Sequence, residues 1–249
     1  MSPSSSLPAA VRRAGDQMAV CLAREIRDGE RVFHGVNSPL PMVAVFLARR
    51  LHAPRLVLIE VAGSVNPRPR FMPRSTNDPE LCHGAAALFS NADAYDLFAR
   101  GGVDLAFLGG AQIDKGGRVN MSYIGSPASP KVRLPGGGGG AVIMSQAGRT
   151  VIWRAAHDRR LFVPRVDFAT QTGNLSKVIT PLAVLARGAP GLELESVHPG
   201  HAADEAAART GFPLDLSRPV PTTPPPTAAE QAALEEVDPG GVRYAEFRA

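Results

Sequence analysis

The chain has few of the features that mark exported or membrane-spanning proteins. Only two of its 249 residues are cysteines. Cys21 and Cys82 show no paired spacing for a disulfide framework or a zinc site, so a reducing, cytoplasmic setting is expected. No stretch approaches the roughly 18 uninterrupted apolar residues of a membrane span. The N-terminal sequence has no apolar core before a cleavage site, so we expect neither export nor a membrane partner.

Concentrated charge of one sign is also missing. Lys and Arg number 27, Asp and Glu number 23, and the net charge is +4. Without a basic tract or interleaved aromatic residues, which make up only 6% of the chain, nucleic acid is not an expected partner. The histidines form no helical i, i+4 pair of the kind that binds zinc, so no metal is expected. With 44% hydrophobic residues, the chain can bury one substantial core, and a single domain over 1–249 is predicted.

Apolar runs of helical and strand-like length alternate along the first half of the chain. The order is the βαβ arrangement of a parallel sheet with helices on its faces. An α/β fold with a doubly wound, mostly parallel sheet is therefore predicted. The predicted helices are 17–27, 41–51 and 92–100, and the predicted strands are 31–36, 55–61 and 103–108.

The second half has shorter and more varied segments. Residues 114–120 are typical of a hairpin with glycines at its tip. Short apolar runs at 142–144, 151–153 and 166–169 predict strands of a smaller, more antiparallel layer. The final part, 219–249, begins with an extended proline-rich strap at 219–226 and continues into a helix at 227–237.

Five consecutive glycines, Gly136 to Gly140, precede Ala141. Ligands of open α/β sheets bind beyond the carboxyl ends of strands, so we expect a site among the loops at 37–39, 62–75, 109–114 and 136–141. The glycine run has two interpretations: backbone amides that face an oxyanion or phosphate, or a flexible surface loop. It lacks the Lys-Ser/Thr of a P-loop.

Glu60 stands near the end of an apolar strand. A carboxylate there must be paired, protonated or turned toward a cleft. Two interpretations remain open for it. It is either a catalytic base or nucleophile, or a buried structural acid paired with Arg68, Arg70 or Arg74.

Several segments together resemble the B subunits of the class I coenzyme A-transferase family, which includes glutaconate CoA-transferase. They are GERVFHGVNSPLP at 29–41, APRLVLIEVAG at 53–63, AFLGGAQIDKGGRVNMSYIG at 106–125, and the glycine run. The resemblance covers nearly the whole chain. It implies a CoA-transferase-like (NagB/RpiA-like) subunit that pairs with a homologous A subunit in a heterodimer or larger heteromer. It also implies coenzyme A as part of an acyl-CoA substrate, with no permanently bound cofactor.

The resemblance also implies which residue should be catalytic. In the family's transferases a glutamate attacks the acyl-CoA carbonyl, and an enzyme-bound glutamyl-CoA thioester follows. Counted from Ala53 and Pro54, that glutamate falls on Val61, which can neither attack nor carry a proton. Glu60 is one residue early, and in a strand this offset turns a side chain to the opposite face unless a bulge redirects it.

Three functional hypotheses follow from this departure. The leading one is an acyl-CoA enzyme with reassigned chemistry, such as decarboxylation or hydrolysis of a carbon–carbon bond. The alternatives are an authentic CoA transferase that uses Glu60 for (di)carboxylic acids, and a non-catalytic stabilising subunit. Under the leading hypothesis, the substrate-binding surface consists of Ser38, Ala62, Gly63, Gly109, Gly110, Ala111, Gln112, Gly137, Gly138, Gly139, Gly140 and Ala141.

Overall fold

A computed structural model describes residues 7–247 of the chain. Residues 1–6, part of the N-terminal segment considered above, and residues 248–249 lie outside this range. The chain forms two compact units. Unit 1 contains the described residues before 108 and after 224, and unit 2 contains Leu108–Pro224.

Unit 1 is a sheet with helices packed around it. Its strands lie in the order β5-β1-β2-β3-β4. β5, β1 and β2 run parallel, and the two short strands β3 and β4 add antiparallel pairs at one side. The elements are α1 (Ala9–Arg24), β1 (Arg31–His34), α2 (Pro39–Leu51), β2 (Val57–Glu60), β3 (Ser64–Val65), β4 (Ala87–Leu88), α3 (Asn91–Ala99), β5 (Leu105–Leu108) and, from the end of the chain, α6 (Ala228–Val237).

The central strands of unit 1 are buried on both faces, as their apolar sequences require. Phe33 of β1 meets Phe98 of α3 edge to face, with ring centroids 5.2 Å apart. Because successive strand residues point to opposite faces, Val32 and His34 project away from α3. The core therefore continues on both sides of β1.

Local sequence signals explain where several helices begin. Pro39 occupies the first turn of α2, where a missing N–H costs nothing. Ser90 and Asp93 form a capping box at the start of α3. Thr227 and Glu230 form another at the start of α6, and Glu230 also pairs with Arg24 at the end of α1. The last helix is thereby fixed to the first.

Unit 2 combines a four-stranded sheet with two small hairpins. Its strands lie in the order β10-β11-β12-β13, of which only β10 and β11 run parallel. The hairpins are β6 with β7 and β8 with β9. The elements are β6 (Gln112–Ile113), β7 (Val119–Asn120), β8 (Tyr123–Ser126), β9 (Ser129–Arg133), α4 (Gly140–Gln146), β10 (Arg149–Trp153), β11 (Leu175–Ile179), β12 (Ala183–Gly188), β13 (Gly191–Val197) and α5 (Ala203–Arg209).

The α/β fold class is confirmed: a mixed sheet of mostly parallel strands with flanking helices, plus small antiparallel sheets. The hairpin predicted at 114–120 and the final helix are also present. The strap at 219–226 has no regular secondary structure and forms one bridge, from Thr222 to Val197.

Three element predictions were wrong. The first helix begins at Ala9 rather than 17. Residues 142–144 belong to helix α4, because a run of three apolar residues cannot distinguish a strand from a buried helical turn. Residues 166–169 form no strand; Asp167 instead accepts hydrogen bonds from Gln112 and from the amide of Gly125. Side-chain hydrogen bonds to loops replace a strand ladder there.

Two absences can be stated for residues 7–247. None of their helices has both the length and the apolar character to cross a bilayer. No three of their His, Cys, Asp and Glu side chains are arranged to hold a metal ion.

The end of the chain is fixed to unit 1 by a buried guanidinium, and this predicts a large stability effect. Arg243 is 1% exposed and contacts Asp16 at 2.7 Å, Asp238 at 3.1 Å and Glu235. Arg243→Met should lower the free energy of unfolding by about 3–5 kcal/mol, because it leaves the carboxylate of Asp238, which is 0% exposed, without its guanidinium partner. Denaturant unfolding measures the change.

Arg50→Met is the matched control, since Arg50 pairs with the next acid of the same helix, Glu236, at 3.1 Å with both side chains 59% exposed. It should cost no more than about 1 kcal/mol. Equal losses of unfolding free energy in the two variants would show that the contacts of Arg243 do not fix the end of the chain to unit 1.

Candidate active site

Two loops of unit 1 meet at one edge of its sheet. β1 and β2 are adjacent and parallel, with Phe33 opposite Ile59. Residues 35–38 follow the carboxyl end of β1, and residues 61–63 follow the carboxyl end of β2. This edge is where ligands of open α/β sheets bind. The structure therefore brings the predicted residues Ser38, Val61, Ala62 and Gly63 to one edge.

Glu60 lies inside the protein and faces a histidine. The register that pairs Phe33 with Ile59 places His34 beside Glu60 at the last position of each strand. His34 Nε2 and Glu60 Oε2 are 2.9 Å apart, and both side chains are 0% exposed. The contact does not meet the geometry of a directed hydrogen bond, so its attraction is chiefly electrostatic. The interpretation of Glu60 as a buried paired acid holds, but the predicted arginine partners were wrong.

The charge of this pair follows from its surroundings. Burial lowers the pKa of His34, but the nearby Glu60 carboxylate raises it, and the net pKa lies above the ordinary value of 6.5. The other ring nitrogen, Nδ1, lies 3.4 Å from the carbonyl oxygen of Gly35. An imidazole with acceptors near both nitrogens is favoured in its protonated form. When His34 is protonated, its charge attracts the carboxylate of Glu60.

Arg70, one of the predicted partners, is engaged elsewhere. Its guanidinium contacts Glu80 at 2.7 Å, and this contact holds the pKa of Glu80 at about 2. Arg70 is therefore paired with Glu80 and not with Glu60.

The prediction that the strand 55–61 includes Val61 was wrong: β2 ends at Glu60, and Val61 lies in a tight turn. Gly63 N–H donates to the carbonyl oxygen of Glu60 at 3.0 Å and closes the turn. Gly63 has φ +94°, a conformation that favours glycine, and a Cβ there would lie 2.9 Å from the carbonyl oxygen of Phe89. Val61 and Ala62 are partly exposed, in contrast to Glu60. The side chain that reaches the surface beyond β2 is therefore apolar.

Ser38 is less accessible than its predicted role suggests. It is 1% exposed and occupies the position before α2 without a side-chain hydrogen bond to the helix. The preceding Asn37 has φ +54°, and its N–H donates to Thr76 Oγ1 at 2.9 Å. The loop after β1 is thus held in a left-handed turn, and its role in binding stays a prediction.

The second group of predicted residues lies in unit 2 and is joined by a polar network. Asn120 Nδ2 donates to Gln112 Oε1 at 2.7 Å, and Gln112 Nε2 donates to Asp167 at 3.1 Å. Thr170 Oγ1 accepts from the N–H of Met121 at 2.9 Å. These bonds connect β6, β7 and the segment 167–170 into one support.

The glycine run rests on this support. Gly136 N–H donates to the carbonyl oxygen of Met121 at 2.7 Å. A Cβ at Gly137 would lie 2.8 Å from Thr170 Cγ2, and a Cβ at Gly140 would overlap the amide of Gln171. Gly137 and Gly140 are therefore packed closely, whereas a Cβ at Gly136 or Gly138 would meet no atom within 4 Å. The close packing at two positions favours the interpretation of a shaped binding turn over that of a loose surface loop.

The loop before β6 leads into the same polar network. It consists of Gly109, Gly110 and Ala111. Ala111 N–H donates to the carbonyl oxygen of Asn120 at 3.0 Å. A Cβ at Gly110 would lie 2.9 Å from Val119, whereas Gly109 has open space beside it. Gly110 is thus needed for packing, and Gly109 remains available to a ligand.

Sequence reasoning missed the residues that hold these loops. His34 and Glu60 are polar residues at the same end of two adjacent buried strands. That shared position could have predicted that they pair. Asn120, Asp167 and Thr170 gave no comparable signal, because their partners lie about 50 residues away in the sequence.

The family can now be established. A model of the coenzyme A transferase family matches residues 16–204. The chain belongs to this family. The resemblance inferred from short motifs is thereby confirmed, and so is membership of an enzyme family.

Two curated relatives are B subunits of CoA-transferases. The B subunit of 3-oxoadipate CoA-transferase from Pseudomonas knackmussii is 31% identical over 243 residues, covering 90% of this chain and 92% of the relative. The B subunit of glutaconate CoA-transferase from Acidaminococcus fermentans is 26% identical over 249 residues, with the same coverage. Its crystal structure superimposes with a TM-score of 0.82 over 91% of this chain and 95% of that chain.

A solved structure with a different activity is also similar. The decarboxylase AibA/AibB superimposes with a TM-score of 0.88 and 35% sequence identity, covering 93% of this chain and 97% of that chain. The scaffold is therefore shared by transferases and by a decarboxylase.

The His34–Glu60 contact predicts a pH dependence of stability. Because the pKa of His34 is raised in the folded protein, its contribution to stability is complete below 6.5, its ordinary value, and is lost as pH rises through the folded pKa. The free energy of unfolding should therefore fall as the pH rises from 6.5 through the folded pKa of His34. Glu60→Gln should remove that dependence and cost about 3–5 kcal/mol near pH 6.

Urea unfolding at a series of pH values tests this. His83→Gln, which removes an exposed imidazole from the same unit, should keep the dependence of the unmodified protein. A stability profile of Glu60→Gln parallel to that of the unmodified protein would contradict the assignment.

Proposed function

We propose that this chain is the B subunit of a heteromeric enzyme that cleaves a carbon–carbon bond of an acyl-CoA thioester, by decarboxylation in the first instance. One observation carries the proposal. Val61 occupies the surface turn after β2, where the family's transferases have their nucleophilic glutamate, while Glu60 is buried against His34. No carboxylate is then available from this turn to take the acyl group from CoA.

An apolar residue at this point has a chemical consequence. A glutamate would attack the thioester, and its charge would repel both a substrate carboxylate and an anion developing on the acyl group. Valine leaves the thioester intact and keeps the turn uncharged. The thioester can then act as an electron sink: CO₂ leaves, the electron pair of the broken bond delocalises onto the thioester oxygen, and a proton completes the product.

The glycine turn of unit 2, taken by itself, suits the stabilisation of an anionic oxygen. Backbone N–H groups fixed before the reaction stabilise a developing oxyanion without reorganisation, at about 3 kcal/mol per donor in comparable sites. The packing of Gly137 and Gly140 against Thr170 and Gln171 provides such fixation. We assign this chain the role of binding the thioester and its developing charge.

The proton donor or base is assigned to an A subunit. The family's B subunits work with a homologous partner, and the decarboxylase AibA/AibB, 35% identical to this chain, is similar over nearly its whole length. These similarities support a heteromeric enzyme that catalyses a decarboxylation. The panel of acyl-CoA thioesters described below identifies the acyl group.

Trapping of a covalent intermediate tests the proposal. The purified complex with its A subunit is incubated with a panel of carboxylated acyl-CoA thioesters, treated with borohydride or hydroxylamine, and digested for mass spectrometry. We expect product and CO₂ without any acceptor acid, and no modified peptide containing Glu60, because its carboxylate is held inside unit 1.

Val61→Glu is the positive control, since it restores a carboxylate to the turn. It should form a trappable adduct at position 61 and lose decarboxylation, whereas Ala62→Glu should form none. A glutamyl-CoA adduct at Glu60 would instead establish CoA transfer. Cleavage of a carbon–carbon bond with addition of water, giving a new carboxylic acid while CoA stays attached and no CO₂ is released, would establish hydrolysis. Inactivity of a well-formed complex with every thioester would favour a stabilising subunit.

A further inference from the structure

Unit 1 contains a concave surface away from residues 61–63. A cavity of about 830 Å³ opens between the end of α2, the loop 67–72 and the residues around the end of α6. Phe46, Phe71 and Met72 make part of its wall apolar. Four guanidinium groups lie on it, against a single carboxylate, that of Glu236. The four are Arg49, Arg50, Arg68 and Arg70.

This cavity is separate from the turn that carries Val61. Arg49 and Arg68 also line an adjoining cavity of about 300 Å³, together with Leu56. Leu56 immediately precedes β2, and Val61 follows it. In the larger cavity, Arg49 donates to Asn66 Oδ1, which also accepts from the N–H of Leu58 in the middle of β2. The basic cavity therefore lies beside β2, three strand steps or roughly 10 Å before the turn that carries Val61, and residues 61–63 do not line it.

Two of the four arginines already have acidic partners. Arg70 is bound to the buried Glu80 at 2.7 Å. Arg50 meets Glu236 at 3.1 Å, but both side chains are more than half exposed, so this pair contributes little. The cavity thus keeps an excess of positive charge after these pairs are counted.

Arg49 and Arg68 provide that excess. Arg49 donates to neutral acceptors, Asn66 Oδ1 at 2.8 Å and the carbonyl oxygen of Pro67 at 3.4 Å, and lies over the Phe46 ring. Within residues 7–247 no carboxylate contacts the guanidinium of either arginine.

The surroundings of Arg49 disfavour its charge. Burial lowers the pKa of Arg49, Glu60 raises it from a distance, and the like charge of Arg68 lowers it further. Two neighbouring cations in a partly desolvated cavity are stabilised by an anion that contacts both.

We propose that this cavity binds an organic phosphate, with its phosphate between Arg49 and Arg68 and its apolar or aromatic part against Phe46 and Phe71. A phosphate dianion matches two guanidinium groups in charge and offers the oxygen pairs that they bind in a bidentate manner. Phe71 is 59% exposed and would be covered by such a ligand. The volume falls within the range of about 300–1,000 Å³ that is typical of small-molecule sites.

Phenyl phosphate is the probe, because it carries both parts of the proposed ligand. Titration calorimetry on the purified complex with its A subunit should give saturable binding with a Kd below about 1 mM. Inorganic phosphate, which lacks the ring, should bind at least tenfold more weakly than phenyl phosphate. A tenfold increase in Kd corresponds to a loss of about 1.4 kcal/mol of binding free energy. Phenol, which lacks the charge, should give no saturable binding. Absence of saturable binding by phenyl phosphate would overturn the proposal.

Two variants locate the bound probe. Arg68→Gln changes an exposed side chain and should weaken binding at least tenfold, and Arg49→Lys, which keeps the charge but not the bidentate fork, should also weaken it. Arg55→Gln, another exposed arginine of unit 1, should leave binding unchanged. Unchanged binding in both Arg68→Gln and Arg49→Lys would place the probe elsewhere and sink the proposal.

Competition with free CoA distinguishes two sources of the phosphate. Binding that depends on Arg68 and persists in saturating CoA would indicate a separate organophosphate ligand. Binding that depends on Arg68 and is displaced by CoA would indicate the nucleotide end of CoA itself. Displacement by CoA without dependence on Arg68 would assign the probe to the acyl-CoA site and contradict the proposal.

Discussion

The edge of unit 1 that carries the candidate site is organised by one contact between a carboxylate and an imidazole, both shielded from water. Glu60 and His34 end the two adjacent parallel strands, and each makes the burial of the other tolerable, since an isolated charge at either position would cost several kcal/mol. The loops 35–38 and 61–63 leave the sheet from these same two residues. Their starting points are therefore fixed by the pair.

The contact also separates two adjacent positions into different chemical roles. Glu60 is the last residue of a strand and faces the interior, where its carboxylate pairs with His34 and stabilises the fold. Val61 is the first residue of a tight turn and is partly exposed. Under the proposed function, the family scaffold keeps its means of holding an acyl-CoA thioester while the residue that would accept the acyl group is missing. Reassigned chemistry needs no new fold; it follows from what the turn after β2 presents.

Much of the fold was accessible from sequence because its signals are local. Apolar runs of four to six residues next to Pro, Asn and Gly predicted β1, β2 and β5, and the end of the proline-rich strap predicted the start of α6. Segments 142–144 and 166–169 were misassigned because tertiary contacts decide them: the first completes a helix after the glycine run, and the second supplies Asp167 to Gln112 across 55 residues. For the site, the motifs placed Gly63 and most of the glycine run correctly in loops, but Val61, predicted at the end of the strand 55–61, lies in the turn after β2. The partner of Glu60 depends on strand register, which single-sequence patterns do not fix.

The central claim is that Val61, and not Glu60, meets the thioester. A crystal structure of the complete enzyme with a non-reactive thioether analogue of its acyl-CoA measures this directly. The account predicts that the Val61 side chain lies in van der Waals contact with the group that replaces the thioester, and that Glu60 remains within about 3 Å of His34, at salt-bridge distance. A Glu60 carboxylate rotated away from His34 and placed against the carbonyl carbon of the analogue would contradict it.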